Sequence, residues 1–165
     1  MGSSRKPYNE RTDIEKIHSQ WTKLVGLHER EEWSAAIMRA ATAAEIAANT
    51  VVRREFSTRS TFDSDFVDSL LKWANGLSGK MQKLVLQFPS DDARKTELAE
   101  LSRLAGRINE KRNQVAHSGN FSNKKEARDV ESNARKFIEN LLAPYEPDFK
   151  LKQLKITSKS AEDEI

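Results

Sequence analysis

The sequence contains no cysteine. Disulfide bonds and thiolate metal sites are therefore excluded, and with them the class of small secreted proteins that disulfides stabilise. No apolar run approaches the roughly 18 residues of a membrane-spanning helix. The stretch MGSSRKPYNE at the N-terminus also lacks the apolar core of a secretory signal. We therefore expect a cytoplasmic protein that does not enter a membrane.

Proline and glycine are scarce, with four and six residues respectively, and alanine, leucine, glutamate, lysine and arginine are abundant. This composition favours helices, and no segment alternates with the period of a strand. The apolar spacing predicts helices over 12–27, 30–55, 64–88, 93–117 and 123–142. Short loops between amphipathic helices predict an all-α fold, an up-and-down bundle of four to five antiparallel helices. We expect an N-terminal extension over 1–11, one helical domain over 12–143, and a polar, flexible C-terminal tail over 144–165.

The expected core lies on one face of each helix. Gly76 and Gly79 fall inside the third predicted helix, where they lower its stability and indicate a kink or a close contact. The aromatic residues at core-type positions include Trp21, Trp33, Phe66 and Trp73. Small residues dominate the apolar face of the second helix, which favours close approach of another helix; they include Ala40, Ala41, Ala44 and Ala48.

Positive charge is concentrated in one part of the chain. Residues 1–100 carry 15 basic and 15 acidic side chains, whereas residues 101–136 carry nine basic and four acidic ones. A surplus of this kind suits a phosphate-bearing partner. It is equally typical of a solvated helical surface, and charge alone favours that simpler interpretation.

An arginine interrupts the apolar face of the fourth predicted helix. With Leu98 placed at 0° and about 100° per residue, Arg112 falls near 320°, in the middle of the apolar positions. Arginine is rarely buried without a partner. Arg112 therefore lies beyond the edge of the core, meets a specific partner, or faces a second chain. His117, at the expected end of the helix, lies about 140° from Arg112 on a regular helix. The two side chains could converge if the helix ended before His117, or if two copies of the helix met across a two-fold axis.

The stretch RNQVAHSG, residues 112–119, resembles the signature of the HEPN superfamily (higher eukaryotes and prokaryotes nucleotide-binding). That signature is an arginine, four to six residues and a histidine, near the end of a late helix in a small all-α domain. Asparagine, histidine or aspartate often follows the arginine directly, as Asn113 does here. The resemblance covers the bundle over about 12–143, with Arg112, Asn113 and His117 as its specific residues.

The resemblance implies a metal-independent endoribonuclease in which two protomers join their motifs in one cleft. His117 would act as the general base on the ribose 2′-hydroxyl or as the general acid on the leaving oxygen, since histidine exchanges protons near neutral pH. Arg112 would bind the scissile phosphate, and Asn113 would orient the histidine or the phosphate. The implied partners are RNA, a second copy of the chain and an antitoxin or other regulatory protein, as expected of a toxin or a phage-defence effector.

Other residues take part in weaker expectations. Lys111, Lys124 and Lys125 are candidate contacts to RNA phosphates. Glu45 is a secondary candidate, because some HEPN proteins place an acidic residue on an early helix where it pairs with the arginine. Its alternative role is an ordinary charge that flanks the apolar face. The histidines have no metal-ligand spacing, and neither a phosphate-binding glycine loop nor a Gly-x-Ser-x-Gly motif occurs, so we expect no metal and no cofactor.

Two other functions remain open at this point. The first is a non-catalytic HEPN module that binds RNA, a nucleotide or a protein. The second is an unrelated helical adaptor whose alanine face docks a partner helix. The adaptor interpretation predicts that Arg112 and His117 are dispensable.

Overall fold

The computed structural model describes residues 5–119 and 121–154. Within these ranges the chain is all-helical and has no strand. Short 3-10 turns lie at Tyr8–Glu10 and Val85–Gln87. The α-helices are α1 (Asp13–Glu29), α2 (Trp33–Arg59), α3 (Ser64–Trp73), α4 (Gly76–Lys83), α5 (Asp92–His117) and α6 (Lys124–Leu142). Four of the five predicted helices match α1, α2, α5 and α6, with ends that differ by at most four residues.

Helix α2 is the centre of the fold and packs against α1, α3, α4, α5 and α6. Its alanine face is buried within the chain, because Ala36, Ala40, Ala44 and Ala48 are all fully inaccessible. The expected close approach of helices is therefore confirmed, and α1 and α6 make most of these contacts. An adaptor that docks a partner helix on this face would have to displace the protein's own helices. The alanine face is therefore not available as the docking surface that the adaptor interpretation requires.

Helices α1 and α2 run antiparallel, and so do α5 and α6. Arg53, near the end of α2, donates to Asp13 at the start of α1 over 2.9 Å. Similarly, Arg94 at the start of α5 donates to the carbonyl oxygen of Leu141 at the end of α6 over 3.2 Å. A contact between the start of one helix and the end of the next requires opposite directions, as short connections favour.

The third predicted helix, 64–88, is wrong as a single element, so the described chain has six α-helices rather than four or five. The helix breaks after Trp73, where Asn75 and Gly76 adopt positive φ angles of 30° and 73°. This left-handed turn ends α3 and begins α4. Gly79 then packs so closely on the preceding turn that a Cβ atom there would lie 1.8 Å from the carbonyl oxygen of Ala74. Both expectations for the two glycines, a kink and a close contact, are confirmed.

The same break corrects two core predictions. Trp73 is 61% exposed and Phe66 is 44% exposed. The buried residues of α3 are Val67 and Leu71, which lie on a different face of the helix from Phe66 and Trp73. The Trp73 ring instead lies under the ammonium group of Lys83, at 4.6 Å from the ring centroid. In contrast, Trp21 is buried as expected, and Trp33 is half-buried against the core.

The expected flexible tail from residue 144 is wrong for residues 144–154. Phe149 and Leu151 are buried, and the indole of Trp21 donates to the carbonyl oxygen of Lys152 over 2.9 Å. These apolar residues close the outer side of the pair formed by α1 and α6, which the polar composition of the segment did not indicate. The remainder of the expected tail, 155–165, lies outside the described residues, as do 1–4 and residue 120.

Candidate functional site

The C-terminal end of α5 extends beyond the hydrophobic core. Ile108 is the last residue of this helix that is fully buried, and Val115 is half-buried. Arg112, Asn113 and His117 are all exposed. Of the three locations open to Arg112 from sequence, the structure therefore gives the first within one chain: the apolar face of α5 continues past the point where the core ends.

The polar groups of Arg112 and His117 have few partners. Arg112 Nη1 donates to Asn113 Oδ1 over 3.3 Å, and no carboxylate in the described part of the chain pairs with the guanidinium. The imidazole of His117, the last residue of α5, makes no hydrogen bond to any described residue. A planar cation and an imidazole thus face solvent at one helix end, where both can reach a ligand.

The helix geometry keeps these two side chains apart within one chain. Helix α5 continues through His117, because the N–H of Ser118 donates to the carbonyl oxygen of Gln114 over 2.9 Å. Convergence through an early end of the helix is therefore excluded. On a regular helix the two side chains point about 140° apart. The helix ends at His117, and Gly119, two residues later, has a φ of 66°, the left-handed conformation that glycine often adopts after a helix end.

The α3–α4 turn lies directly before the motif. A Cβ atom on Gly76 would be 4.0 Å from Oδ1 of Asn109 on α5. Arg112 and Asn113 follow Asn109 by three and four residues, so they lie one helical turn further along the same face. The turn therefore lies close to α5 one helical turn before the motif.

The candidate RNA-contact lysines differ in their environments. Lys111 is half-buried, and its ammonium group donates to Glu126 Oε1 over 2.5 Å and to Gln114 Oε1 over 3.3 Å. This hydrogen bond lowers the pKa of Glu126, a residue that also caps α6 through Asn123. Lys111 therefore joins α5 to α6, and its ammonium group is already paired with a carboxylate rather than free to bind a phosphate.

The two remaining lysines stand at the start of α6. Lys124 is half-buried, and Lys125 is exposed. Neither forms an ion pair with a described residue. Lys125 is therefore the more accessible of the three lysines to a phosphate.

Glu45 does not pair with Arg112. Its Oε1 accepts a hydrogen bond of 2.5 Å from the ammonium group of Lys80, whose side chain is only 8% exposed. A buried ammonium group requires a partner of opposite charge. The structure thus favours the alternative role for Glu45, a structural charge that joins α2 to α4.

Sequence reasoning missed a buried ionisable pair between α1 and α6. His28 Nδ1 lies 3.0 Å from Glu131 Oε1, and the two side chains are 11% and 1% exposed. The second oxygen of Glu131 has no partner among the described residues, and burial raises the pKa of this carboxyl. Glu131 falls near 40° on the apolar face of α6 when Ala127 is placed at 0°. A charged residue at an apolar helix position, the signal that identified Arg112, could therefore also have identified Glu131.

The remaining histidine, His18, is exposed and stacks on Phe149 with ring centroids 4.7 Å apart. The described residues contain no group of three or more histidine or acidic side chains able to hold a metal ion. In the same ranges, no helix combines the length and the apolar character that crossing a membrane requires. Comparison with protein-family models, with curated proteins and with solved structures found no match to this chain.

Proposed function

We propose that this chain is a metal-independent endoribonuclease of the HEPN type that cleaves RNA by attack of the 2′-hydroxyl group. One observation carries the proposal. Arg112 occupies an apolar position of α5, yet it is exposed and has no carboxylate partner in the described ranges, and the exposed His117 follows five residues later. An unpaired arginine and a histidine at one helix end suit a phosphate ester better than they suit packing.

The proposed chemistry balances without a further reactant. The ribose 2′-oxygen attacks phosphorus and loses its proton to the imidazole of one His117. The bond from phosphorus to the 5′-oxygen breaks, and a protonated His117 donates a proton to that oxygen. The products are a 2′,3′-cyclic phosphate and a 5′-hydroxyl. Arg112 stabilises the charge that develops on the phosphoryl oxygens, and Asn113 orients the guanidinium to which it is hydrogen-bonded.

We assign the active form to a homodimer in which the ends of two α5 helices meet. Arg112 and His117 point apart on one helix. The dimer would therefore form each site from the arginine of one protomer and the histidine of its partner. The surface beside the motif supports this assembly, since Phe121 is 95% exposed immediately after the α5 terminus. Aromatic side chains are enriched at protein interfaces, so Phe121 is a candidate contact between the two protomers.

The proposed partners and location follow from the activity. A ribonuclease that acts on cellular RNA harms its host unless it is restrained. An antitoxin or another regulatory protein is therefore the proposed partner, in the role of a toxin or a phage-defence effector in the cytoplasm.

A second candidate is a non-catalytic HEPN module that binds RNA, a nucleotide or a protein. The divergence of Arg112 and His117 within one protomer favours it, because a monomer could not place both groups on one phosphate. The two candidates differ in whether RNA is cut and in whether the chain dimerises through α5.

The test is cleavage of a labelled RNA by the purified protein in EDTA, beside Arg112→Ala and His117→Ala. Arg107→Ala is the matched control, since Arg107 is an exposed arginine on the same helix outside the motif. We expect cyclic phosphate ends from the unmodified protein and from the control. Each motif variant should lose activity by about a hundredfold or more, the usual contribution of a general acid–base group for His117 and of a group that stabilises developing charge for Arg112. Cleavage that survives both motif substitutions contradicts the proposal, and RNA binding without cleavage favours the second candidate.

A further inference from the structure

An open basic cleft lies far from the α5 terminus, between the N-terminal segment and the first half of α1. Its volume is about 600 Å³. Four cationic side chains line it: Arg5, Lys6, Arg11 and Lys23. Glu15 is the only acidic residue among those that line it.

The charge of this cleft is large for the protein. Four cations and one carboxylate give the lining a net charge of +3, which equals the formal net charge of the whole chain. A concave surface of one charge raises the local concentration of an oppositely charged ligand.

The single carboxylate of the cleft is already engaged. Glu15 Oε2 accepts hydrogen bonds from the backbone N–H of Thr12 over 2.7 Å and from Lys6 over 3.4 Å. The bond from Thr12 lowers the pKa of Glu15, so this carboxylate remains ionised as part of the α1 cap. Arg5 and Lys23 form no ion pair with any described residue. Their charges remain available to an anion.

An aromatic ring stands among the cations. Tyr8 is 38% exposed, and the charged groups of Arg11, Lys16 and Lys23 lie 5.7, 5.7 and 5.8 Å from its ring centroid. The Tyr8 hydroxyl accepts a hydrogen bond of 2.9 Å from the buried Gln20, which holds the ring in position.

Arg11 is also fixed in place. Its Nε donates to the carbonyl oxygen of Lys6 over 2.9 Å, and its Nη1 donates to Ser19 Oγ over 2.7 Å. Tyr8 and Arg11 are thus held in place before any ligand arrives, which lowers the entropic cost of binding.

We propose that this cleft binds single-stranded nucleic acid, with backbone phosphates on Arg5, Arg11 and Lys23 and one base stacked on Tyr8. A positively charged groove with an exposed aromatic side chain is the usual arrangement for sequence-tolerant binding of single strands. An acidic peptide would use the cations but not the ring. The cleft is open, so a strand can enter and leave it.

This site is separate from the motif on α5. Ser34, at the start of α2, accepts a hydrogen bond from the N–H of Ser122 in the α5–α6 connection. Arg53, near the other end of α2, pairs with Asp13 at the start of α1. These two positions on α2 are 19 residues apart, or about 29 Å along the helix. The cleft and the motif therefore lie towards opposite ends of the bundle, and the inference does not require that Arg112 or His117 act in catalysis.

The test measures binding of fluorescein-labelled oligodeoxythymidylate of 12 nucleotides to the full chain by anisotropy at several salt concentrations. This probe lacks 2′-hydroxyl groups, so it binds without being cut by the proposed reaction, and either proposal can fail alone. We expect Tyr8→Ala to weaken binding about tenfold and Tyr8→Phe to preserve it. Arg5→Gln with Lys23→Gln should reduce the slope of log affinity against log salt by about 1.4, since each cation contributes about 0.7.

Lys136→Gln is the matched control, because Lys136 is an exposed lysine on α6 without an ion pair in the described ranges. It should bind the probe like the unmodified protein. Thermal unfolding of each variant verifies that the fold is retained. Absence of binding at 50 mM salt, or affinities for Tyr8→Ala and the double variant that equal the control, would overturn the proposal. Competition by polyglutamate or by thymidine triphosphate at a strength equal to the oligonucleotide would also overturn it, since the cleft would then bind an acidic chain or a lone nucleotide.

Discussion

Substitution of Gly79 by alanine tests the close contact that joins α3 to α4. The added Cβ atom would lie 1.8 Å from the carbonyl oxygen of Ala74 and 3.0 Å from its carbonyl carbon. Both atoms belong to the backbone, so no side-chain rotation can relieve the overlap. The two turns must move apart by about 1.5 Å before the contact reaches an ordinary van der Waals distance.

Two effects of opposite sign decide the free energy of unfolding. Overpacking a tight site costs about 1–3 kcal/mol, and more where the backbone must shift. Replacing glycine by alanine inside a helix stabilises it by about 0.5–1 kcal/mol. The free-energy cost of the steric overlap exceeds the gain from alanine's helix preference, so we expect Gly79→Ala to destabilise the protein by about 1–2 kcal/mol.

Gly106→Ala is the matched control. Gly106 lies inside α5, and apart from its chain neighbours and the backbone of α5 no atom of the described residues lies within 4 Å of the position that its Cβ would take. The same chemical change should therefore stabilise the protein by about 0.5–1 kcal/mol. Urea unfolding followed by circular dichroism at 222 nm measures both variants. A Gly79→Ala protein as stable as the unmodified one, or a destabilised Gly106→Ala protein, would refute the reasoning.

Two further predictions concern buried charges. Burial raises the pKa of the Glu131 carboxyl above 4.5. The folded protein therefore binds the proton of this carboxyl more tightly than the unfolded chain does. The stability that Glu131 contributes falls as the pH rises above 4.5. Glu131→Gln can still form a hydrogen bond with His28 but cannot ionise. Its stability relative to the unmodified protein should therefore increase between pH 5 and pH 8 in urea titrations, and an unchanged difference would contradict the assignment. Glu45→Ala leaves the ammonium group of Lys80 buried without its partner and should lower the free energy of unfolding by about 1–3 kcal/mol. If RNA is cleaved, the activity per folded molecule of that variant should not change, and selective loss of activity would instead favour a role for Glu45 in the site.

The signals that sequence reasoning used correctly were local ones. The ends of α1, α5 and α6 were predictable because the apolar spacing is a local signal, and in the structure Thr12 and Asn123 cap α1 and α6 next to the predicted starts. The exposed Arg112 was among the expected outcomes because a cation on an apolar face is visible on a helical wheel. The break at Asn75 was not located, because two glycines indicate an irregularity without giving its geometry.

The basic cleft was overlooked for a different reason. Residues 1–100 are balanced in sequence, with 15 basic and 15 acidic side chains. The structure nevertheless separates these charges in space. Glu10 and Asp13 do not line the cleft, whereas Arg5, Arg11 and Lys23 do. A count along the chain cannot show which side of a helix each charge occupies relative to a neighbouring segment.

The sequence by itself determined the helical class of this protein, the burial of the α2 alanine face and the position of Arg112 among apolar residues. These features follow from periodicity and composition, which act over a few turns of one helix. Tertiary structure alone decided that α5 extends past the core, that Lys80 pairs with Glu45, that His28 meets Glu131 across 103 residues, and that Tyr8 stands among three cations. Each of these contacts joins segments whose relative placement depends on how all the helices pack together, and no local pattern encodes that packing.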